Sequence, residues 1–100
     1  MAVTVKISQS GTWVSPGRQT RSASVSVTNG NSNNVTATCN AGEVPIAGGC
    51  DWAEDSPNLV VNADRPDPTS GTPTGWYCRG RNGKGSGGAT LAAYVVCLSV

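Results

Sequence analysis

The sequence predicts an all-β fold, a small disulfide-stapled antiparallel β-sandwich of about eight short strands. Apolar and polar residues alternate in several segments, which is the pattern of strands that are buried on one face. No segment has apolar residues at helical spacing over ten positions. Gly, Pro, Asn and Ser separate the alternating segments, as they do where turns join strands. Together these features favour a two-layer β-fold over a helical one.

The chain length of 100 residues allows a single domain, residues 1–100. Leu, Ile, Val and Phe make up only 17 residues, 12 of them Val. Because so thin a core stabilises a small domain weakly, we expect covalent cross-links. Four cysteines are separated by 10, 27 and 18 residues and there is no histidine, so the spacing favours disulfides over a zinc site. Disulfides indicate an oxidising, extracellular compartment.

Two predicted strands lie near the start of the chain. Residues 2–8 form the first, because apolar side chains occupy every second position (Val3, Val5 and Ile7). Residues 12–14 form a second, short extended piece, since a Ser-Gly pair precedes it and a Ser-Pro-Gly turn follows it.

A hairpin is the next predicted feature. Residues 23–28 and 35–39 both alternate, and Asn29-Gly30 between them favours a tight turn. Residues 43–47 form the fifth predicted strand. Since Pro45 has no N–H to donate to a neighbouring strand, this strand is expected at a sheet edge or at a bulge.

The second half of the chain predicts three strands and two loops. The strands are residues 58–62, 75–79 and 89–100. Both faces of the last strand are apolar, which predicts a central strand or a strand at an interface. Residues 63–75 contain three prolines and are expected to form a long irregular loop, and residues 80–88 a Gly-rich one.

The residue types do not predict catalysis. Without histidine or a G-x-S-x-G motif, a nucleophile has no visible base. The segment 80–88 differs from a phosphate-binding loop because Lys84 is followed by Gly85. The acidic residues at 51–55 lack the spacing of a calcium loop. We therefore expect no enzymatic activity, no metal site and no cofactor.

Charge and hydropathy restrict the partners. A net charge of +1 argues against a nucleic-acid surface. The chain has no run of 18 apolar residues, so membrane insertion is not expected.

The cysteine and tryptophan frame resembles a known pattern. It reads C-N-A-G-x-x-P-I-A-G-G-C, then S-P, then G-W-x-C-x-x-x-N, then A-Y-V-V-C, over residues 36–98. This order is similar to that of tip domains in bacterial and phage fibre proteins and in pilus adhesins. Asn40 stands where that pattern has proline. The resemblance implies a surface recognition module without naming its target.

Four cysteines allow three disulfide pairings, and the residues alone leave all three open. The resemblance implies Cys39–Cys97 and Cys50–Cys78. The local alternative would join Cys39 to Cys50 and Cys78 to Cys97.

Aromatic and planar polar side chains suggest a sugar-binding surface. A pyranose needs a flat apolar face beneath its C–H side and hydrogen-bonding groups for its hydroxyls. Trp76 and Cys78 are expected to share one face of their strand, with Tyr77 on the other. The expected groove lies between the loops 51–57, 63–74 and 79–85. Its predicted ligand-binding residues are Asp51, Trp52, Tyr77, Arg79, Arg81 and Asn82.

Two hypotheses of different classes follow. The first is a secreted or fibre-tip recognition module on a bacterial surface or virion, which binds a cell-surface glycan or a glycoprotein receptor. The second is an oligomerisation cap of a fibre, a homotrimer for example, that buries the outer face of residues 91–98 together with Val3, Val5 and Ile7. Binding of a protein receptor without glycan, or inhibition of a protease by the Pro-rich loop 63–74, are further alternatives.

Overall fold

The computed structural model describes residues 7–9, 12–14 and 17–99. Its regular elements are all β-strands, which confirms the predicted all-β class. In chain order they are β1 (Ile7–Gln9), β2 (Thr12–Val14), β3 (Arg18–Val27), β4 (Ser32–Thr38), β5 (Glu43–Trp52), β6 (Leu59–Asp67), β7 (Gly75–Asn82) and β8 (Ala89–Ser99). This part of the chain contains no helix long and apolar enough to cross a membrane. Val3 and Val5 lie outside the described residues.

Six strands form two three-stranded antiparallel sheets. The sequence predicted a sandwich of about eight strands, so the two sheets contain fewer strands than expected. The strand orders are β3-β8-β5 and β4-β7-β6. β1 and β2 pair with each other in a small separate ladder. The prediction that the last strand is central is confirmed, since β8 lies between β3 and β5.

The predicted hairpin of residues 23–28 with 35–39 is wrong. β3 pairs with β8, whereas β4 pairs with β7 in the other sheet. Gly30 does take the positive φ of 81° that the turn requires, so the chain reverses as expected. The turn carries the chain from one sheet to the other, since β3 lies in the sheet β3-β8-β5 and β4 in the sheet β4-β7-β6.

β5 and β6 extend well beyond the ranges that the sequence predicts, and β3, β4 and β7 are longer than predicted as well. β5 continues through the Gly48-Gly49 pair to Trp52. β6 continues to Asp67, into the segment expected to be a long loop. Both are edge strands, where a proline is tolerated because no ladder hydrogen bond is lost on the open side. Pro45 also lies beside a register shift in β5, as expected.

Buried residues from both sheets form one core cluster. Its fully buried members are Val27, Ala37, Cys78, Leu91, Ala93, Val95 and Cys97. We call the face of each sheet that carries these residues its inner face, and the opposite face its outer face. Two disulfides join the sheets, Cys39–Cys97 and Cys50–Cys78, which is the pairing that the resemblance implies.

Two tryptophans and two glycines interlock on either side of the second disulfide. A Cβ atom on Gly48 of β5 would lie 2.2 Å from the Trp76 ring of β7. A Cβ atom on Gly80 of β7 would lie 2.6 Å from the Trp52 ring of β5. Each indole therefore occupies the space that the opposite glycine leaves empty. We call this arrangement the Trp-Gly interlock.

Candidate functional site

The structure distributes the six predicted ligand-binding residues over three locations. Asp51 and Trp52 lie at the end of β5. Tyr77, Arg79 and Arg81 lie on the outer face of β7, whereas Asn82 is buried at its end. The predicted groove is therefore not formed as a single surface, because Trp52 and Tyr77 belong to opposite faces of different sheets.

A groove of about 450 Å³ opens where the chain passes from β5 to β6. Its lining residues come from the end of β5, the connection and the start of β6: Cys50, Asp51, Trp52, Ala53, Glu54, Asp55, Ser56, Leu59 and Val61. We call it the Trp52 groove. The loops 63–74 and 79–85, which the sequence placed beside it, contribute no lining residue.

Trp52 forms the apolar part of this groove together with the start of β6. Its indole is half-buried and packs against the core cluster. Its Nε1 atom is buried, and no described residue accepts a hydrogen bond from it. Leu59 is nearly buried, whereas Val61 is 42% exposed. The groove therefore offers an apolar wall that is fixed by the packing of the interior.

Three acidic residues are among the lining of the groove. Asp51 and Asp55 are exposed, and Glu54 is half-buried. The Glu54 carboxylate accepts a hydrogen bond of 3.0 Å from the backbone N–H of Thr90. The backbone N–H of Ala53 donates to the carbonyl of Thr90 at 2.9 Å. These two bonds fix the connection after β5 against β8 and leave Asp51 and Asp55 facing solvent.

The second surface is the outer face of β7 and its neighbours, which we call the arginine face. Strand alternation places Tyr77, Arg79 and Arg81 together on this face. Arg65 of β6 is the cross-strand partner of Tyr77, and its guanidinium carbon lies 4.6 Å from the centroid of the tyrosine ring. The sequence missed Arg65 because it assigned residues 63–75 to a loop.

Asn82 belongs to neither surface. Its side chain is fully buried. Its Nδ2 donates to the carbonyls of Val27 and Gly87, each at 3.0 Å, and its Oδ1 accepts from the N–H of Lys84 at 3.1 Å. Asn82 therefore holds the connection between β7 and β8 in place. Alternation from Cys78 already assigns position 82 to the inner face, so the sequence contained this signal.

The far end of β5 carries an ion pair. Nε of Arg21 donates to Glu43 Oε1 at 2.8 Å, and Nη2 donates to Oε2 at 2.7 Å. The N–H of Asn40 also donates to Oε1. The hydrogen bonds from Arg21, followed by that from Asn40, lower the pKa of Glu43 to about 2. The same pairing raises the pKa of Arg21.

Comparison of the chain with protein-family models, with curated proteins and with solved structures finds no match. A function therefore has to be inferred from the Trp52 groove, the arginine face and the disulfide-linked sheets.

Proposed function

We propose that this protein is a recognition module that binds a glycan in the Trp52 groove, in the manner of a lectin. The observation that carries the proposal is a groove whose lining combines a fixed apolar wall with the exposed acidic residues Asp51 and Asp55. The wall suits the C–H side of a sugar ring, and carboxylates accept hydrogen bonds from its hydroxyls. Concave surfaces of this kind are the usual place for small ligands.

The proposed architecture is a two-layer sandwich of the kind expected from the sequence. The shared core cluster and the two disulfides between the sheets support it. The shortest dimension of the molecule is 16 Å, which suits two layers about 10 Å apart. Such a frame would hold the groove rigid while ligands exchange.

The proposed location is outside the cell, at the tip of a fibre or on a secreted protein of a bacterium or a virion. Two disulfides fit an oxidising, extracellular environment. The fibre-tip location rests on the resemblance of residues 36–98 to such tip domains.

The proposal is tested with the oxidised protein on a glycan array, followed by calorimetric titration of the best neutral oligosaccharide. We expect Asp51→Asn and Asp55→Asn each to weaken binding about tenfold, because each removes a charged acceptor from the groove. Asp67→Asn is the matched control, since Asp67 lies at the other end of β6.

Each outcome of this titration has a clear meaning. Binding that persists unchanged in both groove variants would contradict the groove as its site. Failure to bind any glycan on the array would contradict the proposed function itself.

A second candidate function is the oligomerisation cap, and one surface favours it. The outer face of β5 and β8 exposes large apolar side chains, namely Val44 (37%), Ile46 (54%) and Tyr94 (39%). Val96 and Leu98 are half-buried on the same face. Contiguous exposed apolar residues of this kind often mark contacts between proteins.

A further inference from the structure

Three arginines of the arginine face lie close together because of strand geometry. Arg79 and Arg81 are two residues apart on one strand, so their Cα atoms are about 7 Å apart on the same side of the sheet. Arg65 lies across from Tyr77, one diagonal position from Arg79. All three side chains are exposed.

None of these arginines forms an ion pair within the described part of the chain, and the nearest acidic position on the face is Asp67, two residues from Arg65 on β6. The ion pair found in residues 17–99 joins Arg21 to Glu43, away from this face. Asp64 lies on the inner face of β6, and its carboxylate accepts a hydrogen bond from Nε1 of Trp76. Positive charges are thus gathered on an open surface of a protein whose net charge is only +1. An anion bound there would relieve their mutual repulsion.

Hydrogen-bonding side chains flank the arginines on β4. Ser32, Asn34 and Thr36 are the cross-strand partners of Arg81, Arg79 and Tyr77. A guanidinium group binds a carboxylate or a sulfate through two parallel hydrogen bonds. The amide and hydroxyl groups beside it can bond to neutral hydroxyls. The face therefore carries groups for a ligand in which anions and hydroxyls alternate.

Two other polyanions fit this face less well. Binding to anionic lipid uses clusters of about 4–8 basic residues, more than the three present here. A nucleic-acid surface normally belongs to a strongly basic domain with free aromatic faces for base stacking, whereas this chain has a pI near 7.6. Tyr77, the aromatic residue of the face, already has the Arg65 guanidinium above its ring.

We propose that the arginine face is a second binding site, separate from the Trp52 groove, for an acidic polysaccharide that carries sulfate or carboxylate groups along its chain. Arg79 and Arg81 bind successive anionic groups along β7. Arg65 adds a third positive charge from β6 and is held in place over Tyr77. Ser32, Asn34 and Thr36 contact the hydroxyls between the anions.

The test titrates the oxidised protein with a heparin oligosaccharide, with its desulfated and carboxyl-reduced counterpart and with an oligouronate. We expect binding of the two anionic ligands that weakens as salt is raised, and little binding of a ligand freed of anionic groups. The double variant Arg79→Gln/Arg81→Gln should lower affinity at least about tenfold. Arg65→Gln should lower it less. Arg18→Gln is the matched control, since Arg18 is exposed on β3 of the other sheet.

Since Arg79 and Arg81 are exposed, the double variant is expected to fold, and an unchanged melting temperature checks this. The proposal is overturned if neither anionic polysaccharide binds, or if the double variant binds as the parent does. Equal affinity for a single-stranded DNA of matched charge would also overturn it, in favour of nucleic acid. Asp51→Asn should leave anionic binding intact, and loss of that binding would show that the two surfaces are one site. Failure of neutral glycans to bind the groove leaves this result unaffected.

Discussion

At the scale of single residues, two glycines leave the space that two tryptophan rings occupy. The rings of Trp76 and Trp52 occupy the space that a side chain at Gly48 or Gly80 would need. Native interiors pack at crystal density, so a neighbour cannot move aside without cost. Gly49 differs from both, since a Cβ atom there would meet nothing within 4 Å.

The interlock predicts the effects of three substitutions to alanine. Gly48→Ala and Gly80→Ala should each lower the free energy of unfolding by about 1–3 kcal/mol, because the added methyl group displaces an indole ring. Gly49→Ala, one position along β5, should be neutral or slightly stabilising. Chemical denaturation of the three oxidised variants measures the difference. Equal stability of Gly48→Ala and Gly49→Ala would contradict the interlock.

At the scale of the strands, the two ends of β5 have different surroundings. One end reaches the Trp52 groove with its carboxylates. The other is tied to β3 through the Arg21–Glu43 ion pair, which spans the central strand β8 beside Cys39–Cys97. The ion pair therefore joins both edge strands of one sheet at the end opposite the groove.

The ion pair predicts an acid-sensitive contribution to stability. The pKa of Glu43 falls from 4.5 in the unfolded chain to about 2 in the folded protein. A lowered carboxyl pKa stabilises the folded state above the unfolded value, and this stabilisation is lost as the pH falls through the folded value. The difference in unfolding free energy between the parent and Glu43→Gln should thus shrink between pH 4.5 and pH 2. A difference that stays constant over this range would contradict the assignment.

The strands themselves were largely predictable, because alternation reports burial directly. The two apolar faces of β8 predicted a central strand or a strand at an interface, and Pro45 predicted an edge or a bulge; β8 is central, and Pro45 lies on an edge strand beside a register shift. The entry of β3 and β4 into different sheets was not predictable, since Asn29-Gly30 specifies a reversal of the chain but not the sheet that the next strand enters. Because Pro66 indicated a loop, the second half of β6 was not predicted as a strand, and Arg65 was therefore missed. Whether Trp52 and Tyr77 share a surface depends on how two sheets stack, which alternation within one strand does not report.

At the scale of the whole molecule, covalent links compensate for a thin core. The two cysteines of Cys39–Cys97 lie 58 positions apart in the sequence, and those of Cys50–Cys78 lie 28 positions apart. In the chain-entropy description they contribute about 4 and about 3.5 kcal/mol as upper values. That is comparable with the entire stability of many small domains. The two proposed ligand surfaces can therefore stay polar and open while the disulfides stabilise the fold.

The exposed apolar face of β5 and β8 predicts the outcome of an assembly experiment. If the oligomerisation cap is correct, light scattering of the oxidised protein gives a multiple of the 10.1 kDa chain mass, a trimer for example. Ile46→Lys/Tyr94→Lys should then produce monomers, because charges on this face oppose its burial. Val60→Lys is the matched control, since Val60 is 42% exposed on the other sheet. A monomer at all concentrations would contradict the cap.

The Trp-Gly interlock has a consequence for how this sequence can change over evolutionary time. Side chains at positions 48 and 76 would compete for the same space, as would those at positions 52 and 80. Substitutions within each pair are therefore expected to be coupled. Homologous chains should accept a larger residue at 48 only with a smaller one at 76, and likewise for 80 and 52. The connections 53–58, 68–74 and 83–88 lie outside both pairs. Their length and chemistry are free to diversify, so relatives with new ligands would keep this frame.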